Sequence, residues 1–135
     1  MTKAIELTGK YKALTNYYPS MIVVEGISYP TLEHAFQAAK RTDTETKVLI
    51  SKAKLPEVSS IVEAGFTRPN WKEIQWATMY QLMKLKFESH PTLASLLQDT
   101  GNHRLAFEKR NLPFYNRRRD KLGTILMKVR GELRA

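Results

Sequence analysis

The chain has 135 residues, 42% of them apolar and 26% charged, which is ordinary globular composition and unlike a disordered chain. It has no cysteine, which excludes disulfides, thiolate metal sites and cysteine nucleophiles, and no apolar run approaches the roughly 18 residues of a membrane span. Net charge is +9, and from Gly101 onward ten basic residues face three acidic ones. That bias suits an anionic partner, either nucleic acid or a phosphorylated small molecule, or else a solvated basic surface.

In chain order, Ala4 to Leu7 is a short strand candidate. Met21-Ile22-Val23-Val24, a Glu25-Gly26 turn and Ile27-Ser28-Tyr29 predict a small antiparallel hairpin. Pro30-Thr31 starts a helix whose Leu32, Ala35, Phe36 and Ala39 recur at i, i+3, i+4 and i+7 as a buried stripe. Thr42 and Glu45 have capping-box spacing and open a helix to about Lys54. Pro56 opens a shorter one with Val58, Ile61 and Val62 inward and Gly65 at its end. Asn70-Trp71-Lys72-Glu73 caps the longest helix, to about Ser89, with Trp76, Tyr80, Met83 and Phe87 on one seam. His90-Pro91 begins another with Leu93, Leu96 and Leu97 inward, ended by Gly101. Asp120 is placed to cap a last helix bearing Leu122, Ile125, Leu126, Val129 and Leu133 on one face. No repeat or linker divides the chain, so one α-rich α+β domain over residues 1–135 is expected, with six helices and a small antiparallel β element near its start. The opening residues lack a signal-like apolar stretch, so a cytoplasmic protein is expected.

The first helix carries Glu33, Gln37 and Lys40 at i, i+4 and i+7, away from the apolar stripe. Glu33 falls in the first turn, where the macrodipole favours a carboxylate; the face is either solvated or functional. His34 has no second ligand at metal-binding spacing, so it reads as a packing or hydrogen-bonding histidine, and no metal site is expected. Trp71, at a helix start, is either a staple against the core or a stacking platform for a base or sugar. Tyr115-Asn116-Arg117-Arg118-Arg119-Asp120, with Gly123 allowing close approach, is either a phosphate seat or a solvated basic loop.

Four segments together carry a resemblance: Leu14 to Ser20, Tyr29 to Lys40, Asn70-Trp71 through Phe87, and Leu122 to Arg130. In this order and spacing they resemble the NADAR (YbiA-like) family from about residue 12 to residue 133, and the Pro30-Thr31-x-Glu33-His34-x-Phe36-Gln37-x-x-Lys40 block is specific. The resemblance implies an α-rich fold and an N-glycosidase that needs no cofactor. Its substrates would be phosphoribosylated intermediates early in riboflavin synthesis, or ADP-ribose attached to guanine in nucleic acid. It carries catalytic roles to Glu33 and Trp71. Lys40, closing the same block, joins them on geometry, as a phosphate contact or a Schiff-base nucleophile. Asn16, Tyr17, Gln37, Tyr115, Arg119, Asp120 and Gly123 are the expected substrate contacts. DNA or RNA contact is expected through the basic C-terminal part, and no membrane partner is. The chain departs from the family between Glu108 and Gly123. The family aspartate falls on Leu112, or on Asn111 with one gap, and three arginines replace a glycine-rich loop. The second reading is therefore a catalytically weakened member that binds nucleotide or nucleic acid.

Overall fold

Local signals set most element starts in the computed structural model, which describes residues 4–107 and 116–134, the side chains of 116–120 excepted. The order is β1 (Ile5–Glu6), a 3-10 helix (Gly9–Leu14), β2 (Ile22–Val24), β3 (Ile27–Tyr29), α1 (Leu32–Ala38), α2 (Thr44–Lys52), α3 (Leu55–Glu63), α4 (Trp71–Ser89), α5 (Pro91–Gln98), β4 (Leu105–Ala106) and α6 (Asn116–Leu133). This is the expected α-rich α+β class. The chain divides into two compact units, Pro19–Lys86 and Met1–Tyr18 with Phe87–Ala135.

In the unit Pro19–Lys86, β2 and β3 pair antiparallel with Ile22 opposite Tyr29. Both are buried, while Val23 and Ser28 between them face out. Glu25 and Gly26 have φ of 52° and 80°, the left-handed backbone that a two-residue hairpin turn requires. Thr31 caps α1 by accepting from the His34 N–H, and α1 packs on α2, α3 and the hairpin. Leu32, Ala35 and Phe36 are buried as expected, but so are Glu33, His34 and Ala38. A seven-residue helix enclosed on several sides has no solvated face, whatever its sequence periodicity.

Two details differ from the sequence reading, the cap of α2 and the buried seam of α4. Asp43, one residue after Thr42, caps α2 by accepting from the Thr46 N–H, and a second bond from the Thr46 hydroxyl lowers its pKa. Gly65 follows an α3 that ends in right-handed Ala64. A Cβ there would collide with the Arg41 guanidinium, so this glycine admits Arg41. In α4 the fully enclosed positions are Met79, Leu82, Met83, Lys86 and Phe87, whereas Trp76 and Tyr80 are only half-buried. Each such apolar side chain contributes about 1.5–3 kcal/mol.

In the other unit, β1 pairs parallel with β4, Ile5 against Leu105. Leu97 of α5 and Leu122, Leu126 and Val129 of α6 form its core with Leu7, Leu14 and Phe107. Gly101 takes φ +63° just after α5. Arg130 is buried and ties α6 to the chain after α5, donating to Thr100 Oγ1 at 2.9 Å and to the His103 carbonyl at 2.8 Å. The sequence places Asp120 at the cap of the last helix; instead α6 starts at Asn116, and Arg117 to Asp120 lie within it. Among the described residues no helix is long and apolar enough to cross a membrane.

Candidate active site

Glu33 is 8% exposed. A carboxylate in the first turn of α1 lies at the positive end of the helix, where burial is least costly. Gln37, one turn on, donates from Nε2 to Glu33 Oε2 at 2.8 Å, so one carboxylate oxygen has a fixed direction. The bond is the i, i+4 pair expected from the sequence. Lys40 does not extend that face. α1 ends at Ala38, and half-buried Lys40 lies in the turn beyond, its carbonyl accepting from the Arg68 N–H at 2.8 Å.

His34 is the structural histidine expected from its spacing. Its Nε2 donates to the Ala53 carbonyl at 2.8 Å, and its Nδ1 lies 2.8 Å from the Thr31 hydroxyl. A carbonyl only accepts, so Nε2 carries the hydrogen of that bond. The Nε2 bond ties α1 to the end of α2, and the Nδ1 contact stays within the α1 cap. Trp71 is 9% exposed, and its indole packs on Phe36 of α1 with ring centroids 5.1 Å apart at 55°. That contact fixes the start of α4 against the helix that carries Glu33.

Sequence reasoning missed Lys86. Its side chain is fully enclosed, and desolvation pushes its ammonium pKa down from 10.5 to about 7. The signal was its spacing: it is i+7 from Met79 and i+3 from Met83, a lysine on an apolar seam.

The same unit holds a cavity of about 210 Å³ walled by the hairpin, α1, α2, the loop before α4, and α4 itself. Tyr29, Ala35, Ala39, Lys47, Arg68 and Thr78 are among its lining residues; Glu33, Gln37, Lys40 and Trp71 are not. The Tyr29 phenol has its pKa raised by burial and by the Glu25 carboxylate, so at neutral pH it stays a hydroxyl donor.

The remaining expected contacts lie in the other unit. Asn16 is buried and Tyr17 half-buried, in the chain just after the 3-10 helix. Gly123 makes a close approach, but to protein: a Cβ there would collide with the Leu105 carbonyl oxygen. Tyr115 lies outside the described residues, as do the side chains of Arg119 and Asp120. Trp71 thus packs on the helix that carries Glu33.

The described residues thus hold a buried, oriented carboxylate on a short capped helix within an α-rich α+β fold. The NADAR domain model matches residues 5–134, and the chain belongs to the NADAR domain family. The N-glycosidase YbiA of Escherichia coli strain K12 is 28% identical over 131 residues, covering 91% of this chain and 82% of the relative. A riboflavin biosynthesis protein of Vibrio vulnificus is 30% identical over 128 residues, 89% of this chain but 35% of that longer protein. The NMR structure of E. coli YbiA superposes with a TM-score of 0.83 at 25% identity, covering 98% of this chain and 85% of that one.

Proposed function

We propose that this chain is a cytoplasmic N-glycosidase that hydrolyses the bond between a base nitrogen and the anomeric carbon of a phosphorylated ribose. The substrate class is a phosphoribosylaminopyrimidine or an ADP-ribosyl group on guanine in nucleic acid. The observation that carries the reading is Glu33, a carboxylate 8% exposed and held by Gln37 at 2.8 Å, in a chain whose relatives include proteins named as N-glycosidases.

Cleavage breaks the C1′–N bond, leaves an oxocarbenium-like ribosyl cation, adds water at C1′ and sends a proton to the departing base. An oriented anion stabilises that cation. The same carboxylate takes the proton from the attacking water. Lys40 supplies a cation for the phosphate, and Trp71 an aromatic face for the leaving base.

The test incubates the protein with ADP-ribosylated guanine DNA and with a phosphoribosylaminopyrimidine, and measures released ADP-ribose or ribose 5-phosphate. Glu33→Gln keeps the shape and removes the charge, so turnover should fall by ~10² to 10⁴ with substrate affinity nearly unchanged. Binding without release by the unmodified protein would support a nucleotide- or nucleic-acid-binding member instead. That reading is favoured by Asn111 and Leu112, neither of them a carboxylate, at the family's aspartate.

A further inference from the structure

The cavity between the hairpin and α4 is not explained by catalysis at Glu33. It presents two cations, Lys47 and Arg68, against one carboxylate, Glu25. Lys47 has only 12% of its side chain exposed, yet its pairing is weak: Nζ lies 3.5 Å from Oε2 of Glu25, whose side chain is 74% exposed. An ion pair that open and that long contributes little. Sheltering a lysine ammonium is costly unless an anion meets it.

Arg68 is held at the wall by its own backbone. Its N–H donates to the Lys40 carbonyl at 2.8 Å, and its Nη2 to the Arg41 carbonyl at 3.1 Å. Among the described residues its guanidinium makes no other hydrogen bond, so the rest of a five-donor fork is uncommitted. The Tyr29 and Thr78 hydroxyls add polar groups, and Ala35 and Ala39 supply an apolar wall. The space is about 210 Å³.

We propose that this cavity binds a small organic anion, whose phosphate or carboxylate oxygens meet Lys47 and Arg68 and whose compact body lies against Ala35 and Ala39. The site is distinct from Glu33, because the residues of α1 that line it are not those that carry the carboxylate and Gln37. It stands whether or not Glu33 cleaves a glycosidic bond.

The test titrates the isotopically labelled protein with inorganic phosphate, ribose 5-phosphate and benzoate, following the amide signals of Ala35, Ala39 and Thr78. At least one probe should shift these three together. Phosphate or ribose 5-phosphate doing so identifies a phosphate head, benzoate a carboxylate. Lys47→Met should weaken that binding about tenfold, as loss of one charge-assisted hydrogen bond implies. Lys47→Arg should restore most of it, and Thr78→Leu should block it by filling space. Glu33→Gln and Lys40→Met should bind as the unmodified protein does. If Thr78→Leu does not fold, the two Lys47 variants still decide. No shift with any probe at millimolar concentration would overturn the proposal. So would binding that survives Lys47→Met and is lost in Lys40→Met, because that places the anion at Lys40 and not in this cavity.

Discussion

Lys86 sits on the α4 seam with Met79, Met83 and Phe87, at 0% exposure, and its burial has a thermodynamic signature. Its folded pKa of about 7 lies below the ordinary 10.5. Between those values the unfolded chain holds the proton and the folded chain does not. Its contribution to stability therefore rises with pH from about 7 toward 10.5, by at most ~1.4 kcal/mol per pH unit, and is flat below that window. Urea unfolding of the wild type and of Lys86→Met between pH 6.5 and 10 isolates this group, because other titrations cancel in the difference. Stability of the wild type relative to the variant should climb with pH. A constant difference would mean that the ammonium is not desolvated. Trp71 offers a second test at this scale. A ring that packs edge-tilted on Phe36 is mostly replaced by another ring, so Trp71→Phe should cost well under the ~3–5 kcal/mol of Trp71→Ala, measured in the same unfolding experiment. If the indole also serves as a stacking face, turnover of the phenylalanine variant should fall less than that of the alanine variant.

Among the elements, α6 and β4 depend on one missing side chain. Gly123 lies in α6, where a Cβ would meet the backbone carbonyl of Leu105 in β4. Backbone cannot rotate away as a side-chain tip can, so Gly123→Ala should destabilise by about 1–3 kcal/mol despite the better helix propensity of alanine. A thermal melt that shifts upward instead would show that α6 can slide. The sequence made the hairpin and the starts of α1 and α5 legible, because Glu25-Gly26, Thr31 and Pro91 act within a few residues of themselves. It placed the α2 cap on Thr42 rather than Asp43 because adjacent cap-forming residues compete, and only geometry shows which one reaches the Thr46 N–H. It started α6 too late because three arginines, good helix formers, read equally well as a basic loop. The β1–β4 pair joins Ile5 to Leu105, and two strands of two residues carry no periodicity to detect. The same contrast holds at the site. Glu33 and Gln37 were legible from spacing on one helix, whereas the enclosure of Glu33 and the cavity beside Tyr29 were not, since their walls come from segments distant in sequence.

Across the whole molecule, charge is the property that local structure does not explain. Seven of the nine net positive charges lie from Gly101 onward, and Arg117, Arg118 and Arg119 fall in the first turns of α6, which has no acidic residue in its first turn. Cations there oppose the helix macrodipole, at ~0.3–1 kcal/mol each, and a bound phosphate would reverse that sign. If these arginines contact a nucleic-acid backbone, affinity for duplex DNA should fall between about 50 and 200 mM salt, with a log–log slope near 0.9 per phosphate contact. Replacing all three with glutamine, which keeps helix propensity where serine would not, should flatten that slope by roughly two to three while leaving the fold intact. A mononucleotide substrate engages fewer phosphates and needs at most Arg119 of the three, so its salt slope should be near one in the unmodified protein and change by no more than about one in the variant. Titrations of the two ligands by fluorescence anisotropy and calorimetry, over the same salt range, separate the cases. An unchanged DNA slope in the triple variant would assign the arginines to solubility and leave nucleic-acid contact to the other basic residues beyond Gly101.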